Sequence, residues 1–392
     1  MNFNHPSKGG STIVTRTVCA IVFMTFSFCW LFFFQADVLS VVQYTLSGGQ
    51  TTYNRLVGAV VITGLLQLLQ LGVYALIRLS KRYHALTYLP SMLILGVLTD
   101  ITFQSSPITL HPSPITLHPS PITIIIIILL WLGCVFVARG IQPYEDDRSG
   151  GILSRRMWIN MLVMLVMMVG VTLIGNSNAV FHFRTHAETA LSKGDVDEAL
   201  RVGNSSHESD ASLTMLRAYA LSKKGLLGER LFCYPVVGTS DDILMLGSDA
   251  RMVLYPVDSF YRHLGALPRH GMDAEHYLRN LQRGGQATAA VADYVLCGHL
   301  VDRDLDAFAA DITKYYQISD STSELPRHYR EALVLYTHLR SHPRFVYHDT
   351  VMDEDYEDLQ QLEAQHPEPS DCKNQVRDKY EDSYWYYYEY MK

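Results

Sequence analysis

Long runs of uncharged, mostly apolar residues restrict the fold of this chain more than any other feature of its sequence. A helix that crosses a lipid bilayer needs about 20 such residues at a rise of 1.5 Å each. The first half of the chain holds five runs of this kind, at about residues 17–35, 56–78, 85–103, 122–139 and 157–176. In lipid they must be helical, because no water is present to satisfy the backbone polar groups. We therefore predict a transmembrane domain of five helices over residues 1–180.

Two of these runs need comment. The third has Pro90 near its start and Asp100 near its end, which makes it the weakest of the five. The first is longer than the apolar core of a signal peptide, and no small-residue cleavage site follows it at Phe34-Gln35-Ala36. We therefore interpret the first run as an uncleaved membrane anchor.

Positive charges fall in alternate loops between the predicted spans. The basic residues before the first span and in the second and fourth loops are Lys8, Arg16, Arg78, Lys81, Arg82, Arg139, Arg148, Arg155 and Arg156, and the one exception is Arg55. Short cytoplasmic loops retain Lys and Arg, so these loops and the N-terminus are expected to be cytoplasmic. With five spans, residues 181–392 would then be periplasmic on a bacterial inner membrane. Without the third span the chain would cross the membrane four times, and residues 181–392 would be cytoplasmic.

The second half of the chain has a different composition. Residues 181–392 carry 22 Lys and Arg against 34 Asp and Glu, and they include an acidic segment at residues 352–371. Nucleic-acid binding depends on clustered basic residues, so we expect no nucleic-acid partner. The apolar residues recur at helical spacing between short polar turns, which predicts a helical domain.

One segment of this domain carries a recognisable repeat pattern. In "HAETALSKGDVDEALRVG", residues 186–203, Gly194 can end one helix at a positive φ and Asp195 can cap the next. The stretch "GDVDEAL" resembles the turn of a tetratricopeptide repeat. Looser helix pairs follow at residues 213–235 and 291–316. The resemblance implies a helical solenoid that grips a peptide or protein partner, so the expected fold is all-α, with a tetratricopeptide-like solenoid after the membrane bundle.

The layout of the chain also resembles a group of uncharacterised polytopic membrane proteins of anaerobic Gram-negative bacteria. The likeness includes "HYREALVLY" and the aromatic tail "SYWYYYEY". This resemblance implies no activity.

Aromatic residues supply the candidate partner-binding or docking positions. They are Tyr219, Tyr384, Trp385, Tyr386, Tyr387, Tyr388 and Tyr390. Tyr and Trp bury a large area and keep a polar group, which suits interfaces. Three interpretations of the tail stay open: a terminal element packed on the helical domain, a belt at the membrane interface, or a surface for a partner or a sugar.

No sequence motif predicts chemistry. The chain lacks a nucleophile elbow, a phosphate-binding glycine loop and a C-x-x-C pair, so we expect no catalytic residue, metal or cofactor. His263, His270 and His276 have the wrong spacing for a metal helix. Gln67, Gln70 and Asn160 are too few to indicate a transport path. We predict a membrane-anchored scaffold for a protein or peptide. The alternative is an envelope enzyme or transporter for a lipid-linked or glycan substrate, with the helical domain recruiting partners.

Two further features bear on the outer side of the membrane. Cys233, Cys297 and Cys372 allow one disulfide and leave one free thiol in an oxidising compartment. The repeated heptad "SPITLHP" within residues 104–121 carries five prolines, which exclude a regular helix. Its two histidines, His111 and His118, do not share a face of a polyproline helix, so we interpret the repeat as a spacer.

Overall fold

The computed structural model describes residues 10–79, 81–100, 121–142, 154–318 and 325–391. Within these ranges the chain consists of α-helices with short 3-10 and π-helical segments, and it contains no β-strand. The prediction of an all-α protein is therefore confirmed for the described residues. The chain divides into two compact units between Asn178 and Ala179. The proline heptads, with His111 and His118, lie outside the described residues.

The described part of the N-terminal unit contains six α-helices. They are α1 (Gly10–Cys29), α2 (Ala36–Leu46), α3 (Arg55–Ile77), α4 (Leu89–Thr99), α5 (Pro121–Ile141) and α6 (Arg155–Ile174). A π-helical turn at Trp30–Phe34 extends α1, and a 3-10 segment at Lys81–Tyr88 precedes α4.

Four helices of this unit are long and apolar enough to cross a membrane. Their apolar stretches are Ile13–Phe34, Arg55–Ile77, Ile122–Ile141 and Arg155–Ile174. Many of their side chains point away from the protein; Leu76 and Phe136, for example, are each 82% exposed. A soluble surface rarely carries so much exposed apolar area, and these helices are compatible with membrane insertion.

The third predicted span, residues 85–103, is not confirmed as a full membrane helix. Its α-helical part, α4, has 11 residues, which corresponds to about 16 Å at 1.5 Å per residue and to roughly half of the hydrocarbon thickness. Pro90 lies in the first turn of α4, where its missing N–H costs no hydrogen bond. The chain before it is 3-10 helical rather than α-helical.

The segment from Ala85 to Thr99 runs parallel to α6, in the same chain direction, and is attached to it at both ends. At one end the backbone N–H of Ala85 donates to Asn160 Oδ1 over 2.8 Å. At the other, the N–H of Asn176 donates to the carbonyl of Thr99 over 2.9 Å. The segment therefore extends along nearly the full length of α6.

Positive charge gathers at one end of this bundle. The guanidinium carbon of Arg16 lies 4.3 Å from the centre of the Tyr74 ring, and Arg78 ends α3 one turn further on. On α5, Ala138 packs against the same end of α3, so the neighbouring Arg139 also belongs to this end.

The exception to the charge rule lies at the opposite end of the bundle. Arg55 opens α3 there and forms an ion pair of 3.6 Å with Asp37 of α2. Because the two charges offset each other, Arg55 contributes little net positive charge at this end.

The described part of the C-terminal unit contains thirteen α-helices. They are α7 (Ala179–Ser192), α8 (Val196–Arg201), α9 (Ala211–Lys223), α10 (Leu227–Arg230), α11 (Ser240–Ile243), α12 (Val257–Leu264), α13 (Ala274–Arg283), α14 (Ala290–Val301), α15 (Leu305–Tyr315), α16 (Arg327–Leu339), α17 (Thr350–Gln365), α18 (Pro369–Tyr380) and α19 (Tyr384–Tyr390). Their apolar faces form one continuous core. Cys233, Cys297 and Cys372 are not paired with one another.

The helix pairs that resemble tetratricopeptide repeats fold as helix, turn and helix. Gly194 has a φ of 80° between α7 and α8, and Asp195 accepts a 3.0 Å hydrogen bond from the Glu198 N–H as the cap of α8. The second helices of the first two pairs are short, however: α8 has 6 residues and α10 has 4. A repeat of about 34 residues holds two longer helices, so a tetratricopeptide solenoid is not confirmed.

Candidate functional site

A groove of about 640 Å³ lies in the C-terminal unit between α13, α14 and α15. Side chains of these three helices, Ser240 of α11 and Asp302 and Asp304 of the α14–α15 turn line it. We call it the α13–α15 groove. It belongs to the third helix pair that the sequence pattern indicated, and its volume is that of a ligand pocket or a short peptide segment.

The acidic end of the groove lies at the turn between α14 and α15. Asp302 accepts hydrogen bonds from the N–H (2.9 Å) and the hydroxyl (2.5 Å) of Ser240, which holds α11 at this end. Asp304 caps α15 by accepting from the N–H of Ala307 over 2.9 Å. Glu275, in the first turn of α13, also lines the groove, where it is paired with Arg279, so Asp302 and Asp304 carry the negative charge of this end.

The basic end lies at the other ends of α13 and α15. Arg283 and Lys314 line it, and a hydrogen bond from Gln282 to the Tyr315 hydroxyl joins the two helices there. Within the described residues Arg283 forms no ion pair, whereas Lys314 pairs with Asp311 at 2.5 Å. The α13–α15 groove therefore offers opposite charges at its two ends.

Asp311 and His299 form the polar floor between these ends. His299 Nε2 lies 3.3 Å from Asp311 Oδ2 across the helix pair. Partial burial raises the pKa of the Asp311 carboxyl, but hydrogen bonds from Lys314 and His299 outweigh it and lower the pKa below its usual value. Asp311 is thus a carboxylate at neutral pH, and it adds a negative charge between the acidic end and the basic end of the groove.

The turn at the acidic end is tied to the C-terminal aromatic helix. Arg303 adopts a left-handed conformation with a φ of 58°, in the place where many helix pairs have glycine. Its guanidinium lies 4.5 Å from the centre of the Tyr387 ring and donates to the carbonyls of Tyr387 (3.3 Å) and Met391 (2.5 Å). Contacts with α19 and with Met391 just after it therefore hold the α14–α15 turn, at the acidic end of the groove, in place.

The aromatic residues singled out in the sequence lie mostly in the core. Tyr219, Tyr384, Trp385, Tyr386 and Tyr387 are buried, and Tyr388 and Tyr390 are half-buried. Tyr219 packs in an aromatic cluster with Tyr255, Phe260 and His263, so its ring is not accessible to a partner. Of the tail residues, only Tyr388 and Tyr390 keep part of their rings at the surface.

Glu331 of α16 is the buried group that holds α19 in place. Its carboxylate accepts hydrogen bonds from His328 Nδ1 (2.8 Å), Arg327 Nε (2.8 Å) and the N–H of Tyr384 (2.7 Å). The indole of Trp385 donates to the Glu331 carbonyl over 2.8 Å. Sequence reasoning did not find this cluster, although the His328-to-Glu331 spacing of three residues on one helix face was a visible signal.

The buried imidazole of His328 is strongly perturbed. Burial would lower its pKa, but the charge of Glu331 and hydrogen bonds to Glu331 and Cys233 outweigh that effect and raise the pKa to about 9. The second ring nitrogen, Nε2, lies 3.9 Å from Cys233 Sγ. Cys233 is half-buried, so a thiol, an imidazole and a carboxylate lie in series at the edge of the core.

The histidines weighed as metal ligands form local contacts. His263 Nε2 lies 2.9 Å from the Ser222 hydroxyl, and His276 pairs with Asp273 at the start of α13. In the ranges that the structure describes, no three or more His, Cys, Asp or Glu side chains are grouped so that they could hold a metal ion.

A family model matches the part of the chain that supplies most of the groove lining. Residues 269–391 match the model of a family of unknown function (DUF6057). The match takes in α13 to α19, and hence both the α13–α15 groove and the Glu331 cluster. No curated protein matches the chain, and no solved structure matches it.

Proposed function

We propose that this chain is a membrane-anchored scaffold of a bacterial inner membrane, and that its C-terminal unit binds a protein or peptide partner on the periplasmic side. The observation that carries the proposal is the α13–α15 groove, which three helices and the buried α19 hold in shape. Its size and its opposite charges suit a peptide segment with a basic part and an acidic part. The tetratricopeptide-like pairs and the aromatic residues would serve this binding by supporting the groove.

The proposed orientation requires five spans, of which four are long apolar helices. The attachment of residues 85–99 to α6 supports membrane insertion of the remaining one, the third. If α6 crosses the bilayer, a segment joined to it from Ala85 at Asn160 to Thr99 at Asn176 covers a similar depth in the same direction, as a third and a fifth span must. Its irregular 3-10 part is buried among α1, α3 and α6, and non-helical backbone is tolerated at membrane depth when protein surrounds it.

The orientation can be tested with a reporter. We expect an alkaline phosphatase fused after Arg184 to be active, because the enzyme folds only outside the cytoplasm. The same fusion after Arg139 should be inactive. The opposite pattern would place the C-terminal unit in the cytoplasm and refute the five-span arrangement.

Binding can be tested by site-specific photo-crosslinking in the full-length protein in membranes. A photoreactive residue in place of Ala310, which lines the groove, should crosslink to a defined polypeptide. Reversal of the groove charges by Arg283→Glu and Lys314→Glu should reduce that crosslink at least tenfold. Arg262→Glu on the exposed side of α12 reverses one charge of the same sign outside the groove and should have no effect, whereas Arg283→Glu alone should already weaken the crosslink. Equal loss in Arg262→Glu and Arg283→Glu, or no crosslink at all, would contradict the proposal.

A second candidate function, an envelope enzyme for a lipid-linked substrate, is favoured by the series Cys233, His328 and Glu331. A nucleophile, a proton-transferring base and a group that orients the base are the parts of covalent acyl transfer. In such a step Cys233 Sγ would attack the carbonyl carbon of an ester, and the C–O bond to the alcohol would break. His328, which is protonated at neutral pH, would give its Nε2 proton to the leaving alcohol and would take the thiol proton of Cys233 in its place.

This candidate has a direct chemical test. Incubation with an activated ester such as p-nitrophenyl acetate should place the acyl group on Cys233, as seen by peptide mass spectrometry. Cys372→Ala should keep that reaction and Cys233→Ala should abolish it. If Cys233 is acylated no faster than a free cysteine, the enzyme hypothesis fails and the scaffold proposal is unaffected.

A further inference from the structure

A second cavity lies inside the N-terminal unit, at the basic end of its helix bundle. Its volume is about 340 Å³, and residues of α1, α3 and the 3-10 segment before α4 line it. The polar members of its lining are Arg16, Thr17, Gln67, Gln70, Tyr74, His84 and Tyr88. We call it the Arg16 pocket.

The lining of this pocket carries positive charge and no negative charge. Its lining contains a guanidinium, an imidazole, two carboxamides and two phenols, and no carboxylate. Within the described residues Arg16 forms no ion pair; its guanidinium rests 4.3 Å from the centre of the Tyr74 ring. A cation–π contact of this kind contributes about 0.5–2 kcal/mol. That is a small compensation for a cation at membrane depth, where charges are costly.

The other polar groups of the pocket are held in place by the bundle. Gln67 donates to Gln70 Oε1 over 2.9 Å, and Gln70 donates to the Thr87 hydroxyl over 2.8 Å. The His84 ring packs edge-on against Tyr74 and Tyr88, with centroids 5.2 Å and 5.8 Å away. The pocket is therefore a preformed polar lining around one cation, and it includes Gln67 Oε1, a buried acceptor without a hydrogen-bond partner among the described residues.

The position of the pocket indicates what could neutralise it. Arg16 lies three residues into the apolar stretch that begins at Ile13, or about 5 Å along the helix at 1.5 Å per residue. That is just inside the hydrocarbon region, within reach of the lipid headgroups. Beside the polar groups, the rim carries Ile13, 63% exposed, and Leu71, 45% exposed. These apolar side chains face the space where the acyl chains of a bound lipid would lie.

We propose that the Arg16 pocket binds the phosphate group of an anionic phospholipid, with Arg16 as its counter-ion. Basic pockets between membrane helices on the cytoplasmic side are general sites for anionic headgroups. The apolar rim favours a lipid over free phosphate, because a free anion would leave Ile13 and Leu71 without a partner. This inference rests on the membrane insertion in the proposed function, and it adds a ligand that a peptide-binding groove in the other unit does not require.

The test uses the full-length protein in a mild uncharged detergent. Phosphatidylglycerol, phosphatidylcholine or inorganic phosphate is added, and native mass spectrometry counts the bound molecules while a thermal melt reports stability. We expect one phosphatidylglycerol to bind, and to raise the melting temperature more than phosphatidylcholine does. Arg16→Gln should weaken this binding at least tenfold, and Arg16→Lys should retain part of it. Arg139→Gln removes one positive charge from the exposed surface at the same end of the bundle and should bind like the wild type.

Three outcomes would overturn the inference. They are wild-type binding by a folded Arg16→Gln variant, equal loss in Arg139→Gln, and a stabilisation by inorganic phosphate as large as that by phosphatidylglycerol. Carbonate extraction of cell membranes separates this failure from that of the proposed function. An extractable protein would refute membrane anchoring itself, whereas an integral protein that does not bind phosphatidylglycerol would refute only the lipid site.

Discussion

Loss of the His328 proton should make the C-terminal unit less stable as the pH rises above neutrality. The folded protein holds this proton up to a pKa of about 9, whereas the unfolded imidazole releases it near 6.5. Between these values the folded state binds more protons than the unfolded state, so the free energy of unfolding falls with pH. The contribution of His328 is complete below pH 6.5 and is lost as the pH passes through 9.

The size of the effect follows from the same two values. A shift of one pKa unit corresponds to about 1.4 kcal/mol, so the buried His328–Glu331 pair contributes on the order of 3 kcal/mol at pH 6. The steepest loss should approach about 1.4 kcal/mol per pH unit. This is a large fraction of the stability of an ordinary domain. The raised pKa values of tyrosines such as Tyr261 and Tyr316 affect the free energy of unfolding only above the pH range from 6.5 to 9 in which His328 acts.

The assay needs a probe that reports on the C-terminal unit alone. Trp385 is the only tryptophan after residue 180, and it touches the cluster through its hydrogen bond to the Glu331 carbonyl. Fluorine NMR of 5-fluorotryptophan-labelled protein, titrated with urea in detergent at pH values from 6 to 10, would follow its resonance. Trp385→Phe assigns that resonance.

His328→Gln should remove the pH slope, whatever it does to the stability at a single pH. His348→Gln, at an imidazole on the surface of the same unit, is the matched control and should keep the slope. A wild-type free energy of unfolding that stays constant between pH 6.5 and 9 would refute the reasoning. So would an unchanged slope in a folded His328→Gln variant.

Two further predictions concern single buried contacts. Glu188→Ala should cost about 2–4 kcal/mol, because it leaves three successive backbone N–H groups, at Val253 to Tyr255, without their acceptor; urea denaturation would measure it, and exposed Glu208→Ala should change little. Gly228→Ala should cost about 1–3 kcal/mol, since a Cβ there would lie 2.4 Å from the Tyr329 ring. Gly133→Ala, with no atom within 4 Å of the new Cβ, is its control, and equal melting temperatures for these two alanine variants would contradict the packing argument.

Local features of the chain were predictable because their causes are local. The length and composition of an apolar run decide whether a helix can cross a bilayer, whatever the rest of the chain does. The turn at Gly194 and Asp195 follows likewise from a positive φ and a side-chain cap within a few residues. The third span was harder to assess, because Pro90 and its 3-10 neighbour leave α4 short, and only contacts with α6 indicate its depth.

The candidate sites depend on contacts between distant parts of the sequence. Glu331 meets the N–H of Tyr384, which lies 53 residues away, and Arg303 meets Met391, which lies 88 residues away. No local pattern indicates that a tail rich in tyrosine will turn inward and support a groove rather than face a partner. The same holds for the Arg16 pocket, where Arg16, Gln70 and His84 come from three segments.

The sequence by itself therefore determined the helical class, the apolar segments and the segregation of basic residues, because each follows from how a short stretch partitions between water and lipid. Only the tertiary structure decided which charges lie together without a counter-ion and which aromatic rings are buried. The physical reason is that burial and pairing depend on the neighbours supplied by the folded chain. A tyrosine at the surface and a tyrosine in the core have the same letter in the sequence.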